Sequence, residues 1–177
     1  FTTERLLEPS DVRNHPNLIL IQSISKAHNI PGLRIGYLIA SADKVRQINR
    51  YIIPWSVNAI AVEAGKYILA HPEQYVLPLC EWRRETACLI DRLNALGGGL
   101  EALPTSVTFF LVRLKRGTAA ALKQYLWDHH GLLIRDASNF RSLDERYIRI
   151  SAQTADENRV LVEAVREWLS SNYFFGT

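Results

Sequence analysis

The sequence predicts a folded protein of the α/β class. Short apolar runs of strand length alternate along the chain with longer segments in which apolar residues recur every three or four positions, as in helices. Of the 177 residues, 47% are hydrophobic and 22% are charged, which is enough apolar material for the core of one domain or slightly more. This composition excludes a disordered chain, a collagen-like chain and a disulfide-rich miniprotein.

Two strands and two helices are predicted in the N-terminal part. Residues 18–21 and 34–40 are apolar runs, typical of strands buried on both faces as in parallel sheets. Ser41 can cap a first helix, which the Pro-Trp-Ser sequence at 54–56 ends. A second helix is predicted over 57–71 from its periodicity, with Ile60, Ala64 and Ile68 at four-residue spacing.

A long helix is predicted after His71 and Pro72, and it runs to about Leu96, where three glycines end it. Its apolar stripe, of the kind that packs into a core, consists of Tyr75, Leu79, Trp82, Leu89, Leu93 and Leu96. The only cysteines, Cys80 and Cys88, fall in this helix. At ~1.5 Å per residue they lie about 12 Å apart, too far for a disulfide.

A smaller α/β unit is predicted after the three glycines. Its strands are expected at 107–114, 132–134 and 147–150. A helix over 118–130 ends at Gly131, and the capping box Thr-Ala-Asp-Glu at 154–157 opens a last helix. The side of this last helix that is predicted to be buried consists of Val160, Leu161, Ala164, Val165, Trp168 and Leu169.

Charge and hydropathy limit the expected partners and location. The formal net charge of +3 is small and its charges are scattered, so nucleic acid is not an expected partner. No apolar run approaches the ~18 residues of a membrane helix, and the first residues lack the order of a signal peptide. Two unpaired cysteines are typical of a reducing compartment, so we expect a cytoplasmic protein without membrane contact. We predict no metal site.

The segment with the clearest chemistry follows the first predicted strand. It begins Ser23-Ile24-Ser25-Lys26 and reaches Arg34, so a lysine, two hydroxyls and an arginine lie just past a strand end, where α/β proteins bind ligands. A partly desolvated lysine beside another cation loses proton affinity and becomes an amine nucleophile. Hydroxyls with a guanidinium suit a phosphate dianion. A nucleophilic lysine beside phosphate-binding residues is what pyridoxal phosphate requires.

Other interpretations of this segment remain. A loop lysine taken alone is usually just solvated. Ser23 and Lys26 also match the S-x-x-K pattern of serine β-lactamases and penicillin-binding proteins, but the S-D-N and K-T-G elements of those enzymes do not occur in the chain. The phosphate-loop pattern G-x-x-x-x-G-K-[ST] does not occur either.

The segment also resembles a known family. Ser-Ile-Ser-Lys, followed by Pro-Gly-Leu-Arg-Ile-Gly-Tyr at 31–37, is similar to the cofactor-lysine segment of fold-type I pyridoxal-phosphate aminotransferases, in the histidinol-phosphate aminotransferase branch. The resemblance implies that Lys26 forms the internal Schiff base. It also implies that Ser23, Ser25 and Arg34 hold the cofactor phosphate. The likeness extends over essentially all 177 residues.

The C-terminal part narrows the resemblance. Residues 133–150, together with the Pro-Trp-Ser-Val-Asn sequence at 54–58, are similar to the threonine-phosphate decarboxylases of cobalamin synthesis. This implies that Arg135 and Arg149 bind the anionic groups of a substrate. Both arginines lie in or beside a short predicted strand, where a merely solvated charge is less expected. The residues interpreted as surface charges or bystanders are His28, Arg113, Arg141 and Arg146.

The resemblance also implies a division of the chain. Residues 1–71 match the C-terminal part of the cofactor-binding large domain, 72–97 a long connecting helix, and 98–177 the small C-terminal α/β domain. In the family the cofactor lysine lies beyond the middle of a chain about twice as long, whereas Lys26 lies near the start. Because the sequence begins at Phe1 and contains no methionine, we expect a processed protein or one whose front part is missing.

Three functions remain open on the sequence. The leading hypothesis is pyridoxal-phosphate-dependent decarboxylation of L-threonine O-3-phosphate to an aminopropanol phosphate for cobalamin synthesis. The alternative with the same cofactor residues is histidinol-phosphate aminotransferase. The third, of another class, is a non-catalytic fragment. For either enzyme the resemblance implies a homodimer that acts on a phosphorylated amino compound.

Overall fold

The structure, a computed structural model, describes residues 7–171, which divide into two compact units. One unit extends to Leu77, and the other begins at Pro78. Short 3-10 helices lie at Pro31–Leu33 and Pro72–Tyr75. The other elements, in chain order, are α1 (Asp11–Asn14), β1 (Ile19–Ser23), β2 (Gly36–Ala40), α2 (Ala42–Asn49), α3 (Ala59–Ala70), α4 (Leu79–Asn94), β3 (Leu100–Ala102), β4 (Phe109–Leu114), α5 (Ala119–His130), β5 (Arg135–Asp136), β6 (Tyr147–Ser151) and α6 (Ala155–Ser170). This mixture confirms the predicted α/β class.

In the N-terminal unit, β1 and β2 form an antiparallel pair in which Ser23 lies opposite Gly36. The expectation of parallel strands buried on both faces is wrong. Residues 24–35 form turns and a 3-10 helix rather than a crossover helix, so the chain returns in the opposite direction. Within residues 7–171 the two strands pair only with each other, which leaves Ile21 79% exposed.

The helices of this unit begin at different kinds of cap. Ser41 occupies the N-cap position of α2, but its hydroxyl donates to the Pro16 carbonyl (3.2 Å) and does not cap the helix as predicted. The cap of α3 is made by Asn58, whose side-chain oxygen accepts from the Ala61 amide (2.8 Å). The Asn58 side chain thus fixes the start of α3 at Ala59, two residues beyond the predicted start.

The long helix α4 begins at Leu79 rather than directly after Pro72. A 3-10 helix follows Pro72, and Pro78 then disfavours helical geometry at the residue before it. Tyr75 therefore lies outside the helix. Because α4 belongs to the compact unit that starts at Pro78, it packs with the C-terminal residues. The family-based division at 71 and 97 stays a prediction.

The C-terminal unit is a four-stranded antiparallel sheet in the order β3-β4-β6-β5 with helices α4, α5 and α6 packed on it. Strand alternation separates two faces of the sheet. The core side of the two central strands, which joins the helices in one cluster, carries Phe110, Val112, Leu114, Ile148 and Ile150. The opposite side carries Phe109, Leu111 and Arg149. The three helices thus leave this second face of the sheet free to hold functional groups.

Two details of this unit differ from the expectations. The strand predicted at 132–134 lies instead at Arg135–Asp136, because the Leu132 amide bonds back to the Leu126 carbonyl (3.0 Å) and completes the end of α5 at Gly131. In α6, Val160 is 50% exposed rather than buried. Ile60 of α3 is likewise 73% exposed. Each lies about 100° around its helix from the neighbouring buried residue, so one step along the chain moves it off the core face.

Candidate active site

The predicted cofactor residues lie where β1 ends. Ser23 is the last residue of that strand, and Lys26 lies in the turn that follows. Buried Ile24 anchors the turn, and the Ile30 amide closes it by donating to the Ser25 carbonyl (2.8 Å). Lys26 is exposed, so the expected partial desolvation of this lysine is wrong for the described chain. Its amine is therefore held on a well-anchored turn and is accessible to a ligand.

The two predicted phosphate-binding hydroxyls contact each other. The oxygens of Ser23 and Ser25 are 3.0 Å apart, and either can be the donor. Ser25 is only 3% exposed, whereas Ser23 is exposed. Because one hydrogen bond uses a single O–H, the pair keeps a second O–H that can donate to a ligand.

Arg34 has a backbone conformation that only glycine adopts freely. Its φ of 50° and ψ of 56° are left-handed, and they follow directly on the 3-10 helix. One guanidinium nitrogen donates to the Pro31 carbonyl (3.0 Å), and within residues 7–171 no carboxylate forms an ion pair with it. A strained backbone that holds an uncompensated cation is typical of a binding site.

Gly36 is required for the close approach of the two strands. A Cβ at this position would lie 2.6 Å from the Gln22 carbonyl oxygen, which is inside contact distance. Glycine therefore allows β2 to lie against β1 and sets Ser23 opposite Gly36, with Arg34 two residues earlier on the same chain segment. This close packing was not among the predicted site features, although the Arg-Ile-Gly sequence carries its signal.

Together, these groups fit pyridoxal phosphate by their chemistry. Lys26 offers a primary amine for the aldehyde carbon, and Ser23, Ser25 and Arg34 offer two hydroxyls and a guanidinium for a phosphate dianion. Their roles stay a prediction.

The predicted substrate residues lie in the C-terminal unit, and the sheet register brings them together. Arg135 of β5 is the Cα partner of Arg149 in β6, so both side chains belong to the same face. Both residues are exposed, while Ile148 and Ile150 are buried on the other face, as strand alternation predicts. Like charges directly opposite each other destabilise a sheet. An anion between them would remove that cost.

Aromatic rings support both guanidinium groups. The central carbon of the Arg149 guanidinium lies 5.4 Å from the centre of the Phe109 ring, and that of Arg135 lies 5.8 Å from the Phe140 ring. A nitrogen of Arg135 also donates to the Asn139 side-chain oxygen (3.1 Å). Cation–π contacts of this kind use the face of the guanidinium and leave its edge available for a planar anion.

Three carboxylates of this unit have other partners. Glu157, which lines a cavity with Arg135 and Arg149, accepts from the Thr154 hydroxyl and amide. The Ser138 amide donates to Asp136 (2.8 Å), and this bond is the main reason that the pKa of Asp136 lies below its usual value. Two side-chain nitrogens of Arg146 donate to Asp144 (2.5 and 3.2 Å), which lowers the pKa of Asp144. Arg146 is thus a paired surface charge, as interpreted from the sequence.

Several contributing residues were missed by sequence reasoning. Phe109, Phe140 and Asn139 support the two arginines, and only the alternation of β4, which sets Phe109 on the open face, gave a signal for any of them. His28 is not aimed at solvent: its ring meets Tyr75 edge-on, with centroids 5.1 Å apart. Among residues 7–171, no helix combines the length and apolar character that crossing a bilayer takes.

Comparisons with known proteins show the family and the fold of this chain. The family model described as aminotransferase class I and II matches residues 2–165. The crystal structure of L-threonine-O-3-phosphate decarboxylase from Porphyromonas gingivalis is 46% identical with a TM-score of 0.92, and the match covers 97% of this chain and 52% of that chain.

Two relatives differ in their named activity. The threonine-phosphate decarboxylase of Salmonella typhimurium is 30% identical over 90% of this chain, and histidinol-phosphate aminotransferase 1 of Carboxydothermus hydrogenoformans is 30% identical over 89%. This chain spans 43% of the length of each. The two activities share one fold and one cofactor. The chain therefore belongs to the class I and II aminotransferases, a family of pyridoxal-phosphate-dependent enzymes.

Proposed function

We propose that the protein containing this chain decarboxylates L-threonine O-3-phosphate with pyridoxal phosphate. The observation that carries the proposal is the cross-strand pairing of Arg135 with Arg149 on an exposed sheet face. Two adjacent cations suit a substrate with two anionic groups, and threonine phosphate has a carboxylate and a phosphate. The similarity to proteins named threonine-phosphate decarboxylase, one of them 46% identical, supports the same substrate.

At the cofactor end, four residues of the N-terminal unit have separate tasks. Lys26 supplies the amine that holds the cofactor covalently, while Ser23, Ser25 and Arg34 bind its phosphate through hydroxyl and guanidinium donors. Pyridoxal phosphate, when bound, supplies an electron sink for the electron pair released at the substrate Cα.

At the substrate end, Arg149 binds the carboxylate and Arg135 binds the other anionic group. The planar guanidinium of Arg149, backed by Phe109, fixes the direction of the carboxylate through two parallel donors. That direction decides whether the bond from Cα to the carboxylate or the bond from Cα to hydrogen breaks. Decarboxylation follows when the bond to the carboxylate is favoured, and amino transfer follows when the bond to hydrogen is favoured.

The second candidate is histidinol-phosphate aminotransferase. It uses the same cofactor residues, and the relative from C. hydrogenoformans has that name at 30% identity. Histidinol phosphate has a phosphate but no carboxylate, so it makes less use of the paired arginines than threonine phosphate does.

One assay separates the candidates. The intact, cofactor-loaded protein is incubated with threonine phosphate, and separately with histidinol phosphate and a 2-oxo acid. Release of carbon dioxide from threonine phosphate supports the proposal. Amino transfer from histidinol phosphate with no carbon dioxide from threonine phosphate refutes it in favour of the second candidate. An intact mass measurement on the assayed preparation tests the third hypothesis. If the preparation contains only a chain of 20.2 kDa and shows no turnover in either assay, the result supports a non-catalytic fragment.

We further propose a cytoplasmic homodimer that serves cobalamin synthesis. The family resemblance implies the dimer, and the exposed apolar side chains of Tyr51, Ile53 and Trp55 support it, because Trp55 is 98% exposed. The two cysteines, which form no disulfide, support a reducing compartment. Sedimentation analysis of the intact protein tests the dimer.

A further inference from the structure

A groove lies beside Arg149, on the face of the C-terminal sheet that helices α4, α5 and α6 leave uncovered. It has a volume of about 510 Å³, and Arg141 and Arg149 both line it. Its apolar wall includes Phe109 and Leu111 of β4 together with Phe140. A different cavity, of about 380 Å³, contains Arg135 and Arg149. Arg149 therefore belongs to two neighbouring cavities, each with one further arginine.

The groove with Arg141 is positively charged. None of the residues that line it is acidic. In the part of the chain from 7 to 171, neither Arg141 nor Arg149 forms an ion pair with a carboxylate, whereas Arg146, five residues after Arg141, is bound to Asp144. Two uncompensated guanidinium groups at one apolar groove repel each other, and an anion bound between them would be attracted to both.

The loop that carries Arg141 is held in place on both sides. The Phe140 amide donates to the Ala137 carbonyl (3.0 Å), and the Leu143 amide donates to the Phe140 carbonyl (3.1 Å). Ser142, next to Arg141, has a φ of 72°, a left-handed conformation that residues other than glycine seldom adopt. Strained backbone of this kind persists where the surroundings fix it, and it is concentrated at binding sites.

Phe140 is shared by Arg135 of β5 and Arg141 of this loop. Its ring lies against the guanidinium of Arg135 and also lines the groove of Arg141, the next residue in the chain. Arg141 and Arg149 thus line one groove together with Phe109 and Phe140, and Arg135 contacts the Phe140 ring. A carboxylate needs only one guanidinium fork, but a phosphate monoester has a charge near −2 and three terminal oxygens, so it can use more than one.

We propose that Arg141 is a specificity-determining residue that binds the phosphate monoester of the substrate in the groove it shares with Arg149. The proposal rests on the proposed function and extends it, because it assigns Arg141, first interpreted as a surface charge, to the substrate. Arg141 is then a second guanidinium for the phosphate beside Arg135, and it selects phosphorylated over unphosphorylated amino acids, while Arg149 binds the carboxylate.

The test compares Arg141→Gln with Arg116→Gln in the intact, cofactor-loaded protein. Arg116 is an exposed arginine of the same unit that does not line the groove, so its variant reports the loss of one positive charge alone. For threonine phosphate we expect Arg141→Gln to raise KM about tenfold, the ratio that the loss of one charge-assisted contact produces, with kcat changed less than threefold. Arg116→Gln should match the wild type, and Arg141→Lys should recover part of the loss.

The specificity ratio and a binding titration complete the test. Arg141→Gln should lower the ratio of kcat/KM for threonine phosphate to kcat/KM for threonine. It should also weaken the binding of inorganic phosphate, measured by calorimetry on the cofactor-loaded protein. Equal KM values and equal phosphate affinity in Arg141→Gln and Arg116→Gln overturn the proposal, even if the wild type decarboxylates threonine phosphate. If the wild type does not turn over threonine phosphate, the proposed function fails, and the phosphate titration alone decides for or against Arg141.

Discussion

The two compact units differ in how completely each one buries its own apolar residues. In the C-terminal unit, a single cluster of buried side chains from α4, α5, α6 and the four-stranded sheet surrounds fully buried Trp168. In the described part of the N-terminal unit, the buried apolar residues are Val12, Ile24, Ala61 and Ile68, although its strands are as apolar as those of the other unit. The apolar runs of the sequence therefore predicted strands in both units. They predicted the burial of those strands correctly only in the C-terminal unit, where α4, α5 and α6 pack on the sheet.

The predicted cofactor residues and the predicted substrate residues lie in different units. The predicted cofactor residues lie in the sparsely packed unit, on turns held by backbone hydrogen bonds, whereas Arg135 and Arg149 lie on a sheet with a dense core behind it. Substitutions of the predicted site residues should therefore change catalysis, whereas substitutions in the core of the C-terminal unit should change the free energy of unfolding.

Loss of Lys26 should abolish function while leaving the fold intact. Because its amine is exposed and packs against no core, Lys26→Ala should lower turnover by about three orders of magnitude or more without changing the unfolding transition of the cofactor-free protein. Borohydride reduction followed by peptide mass spectrometry should place the cofactor on residue 26 in the wild type and in Lys66→Ala, whose lysine is paired with Glu63. A reducible adduct elsewhere in the wild type would show that Lys26 is not the cofactor residue.

Loss of core volume should affect the C-terminal unit far more than the exposed strands. Leu93→Ala removes a side chain with no exposure and should lower the free energy of unfolding by about 2–5 kcal/mol. Ile21→Ala removes a side chain that is 79% exposed and should cost less than about 0.5 kcal/mol. Urea unfolding of the intact protein measures both. If Ile21→Ala costs as much as Leu93→Ala, residues outside 7–171, or a second copy, bury β1.

Helix limits and strand pairing differ in how far the sequence predicts them. Helix limits were predicted where a local signal fixes them, as at Gly131 and at the capping box of Thr154 and Glu157, both of which the structure confirms. Strand pairing was not predictable, because whether β1 and β2 are parallel depends on the path of residues 24–35 and not on strand composition.

The same limit applies to the candidate site. Residue spacing singled out the four cofactor residues, and the family resemblance added Arg135 and Arg149. Neither could reveal that these two arginines are register partners, since that depends on a pairing between strands that are separated in the chain. Nor could either reveal the groove of Arg141, because loop conformation and cavity shape depend on tertiary packing.

Replacing Arg149 by lysine should reduce catalysis and leave cofactor binding unaffected. Arg149→Lys keeps the charge but loses the planar fork and its contact with Phe109. We expect normal cofactor absorbance, with kcat/KM for threonine phosphate reduced about 10–1000-fold, since ~1.4 kcal/mol is tenfold. Steady-state kinetics and absorbance on the same preparation measure both quantities. Near-native kcat/KM would mean that Arg149 does not contact the substrate, and the proposed role of this sheet face would then be wrong.

The smallest effect compares one helix cap from each unit. The Thr154 hydroxyl oxygen accepts from the Glu157 amide, and the Glu157 carboxylate accepts from the Thr154 hydroxyl and amide. The two bonds to the carboxylate hold the pKa of Glu157 below its usual value. Asn58 caps α3 through the Ala61 amide and has no carboxylate partner in its cap. Only the cap of α6 should therefore lose strength when a carboxylate is protonated.

The sign of the pH dependence follows from the direction of that shift. Because folding lowers the pKa of Glu157, the box stabilises the protein above the unfolded-state pKa, and this contribution is lost as the pH falls through the lower folded-state pKa. At pH 7, Thr154→Ala and Asn58→Ala should each lower Tm by a few degrees, as the loss of an N-cap does. As the pH falls from 6 towards 3, the difference between wild type and Thr154→Ala should shrink, whereas that for Asn58→Ala should stay constant. Calorimetric Tm values across that range measure both differences, and a pH-independent Thr154→Ala difference would exclude a role for ionised Glu157 in the cap.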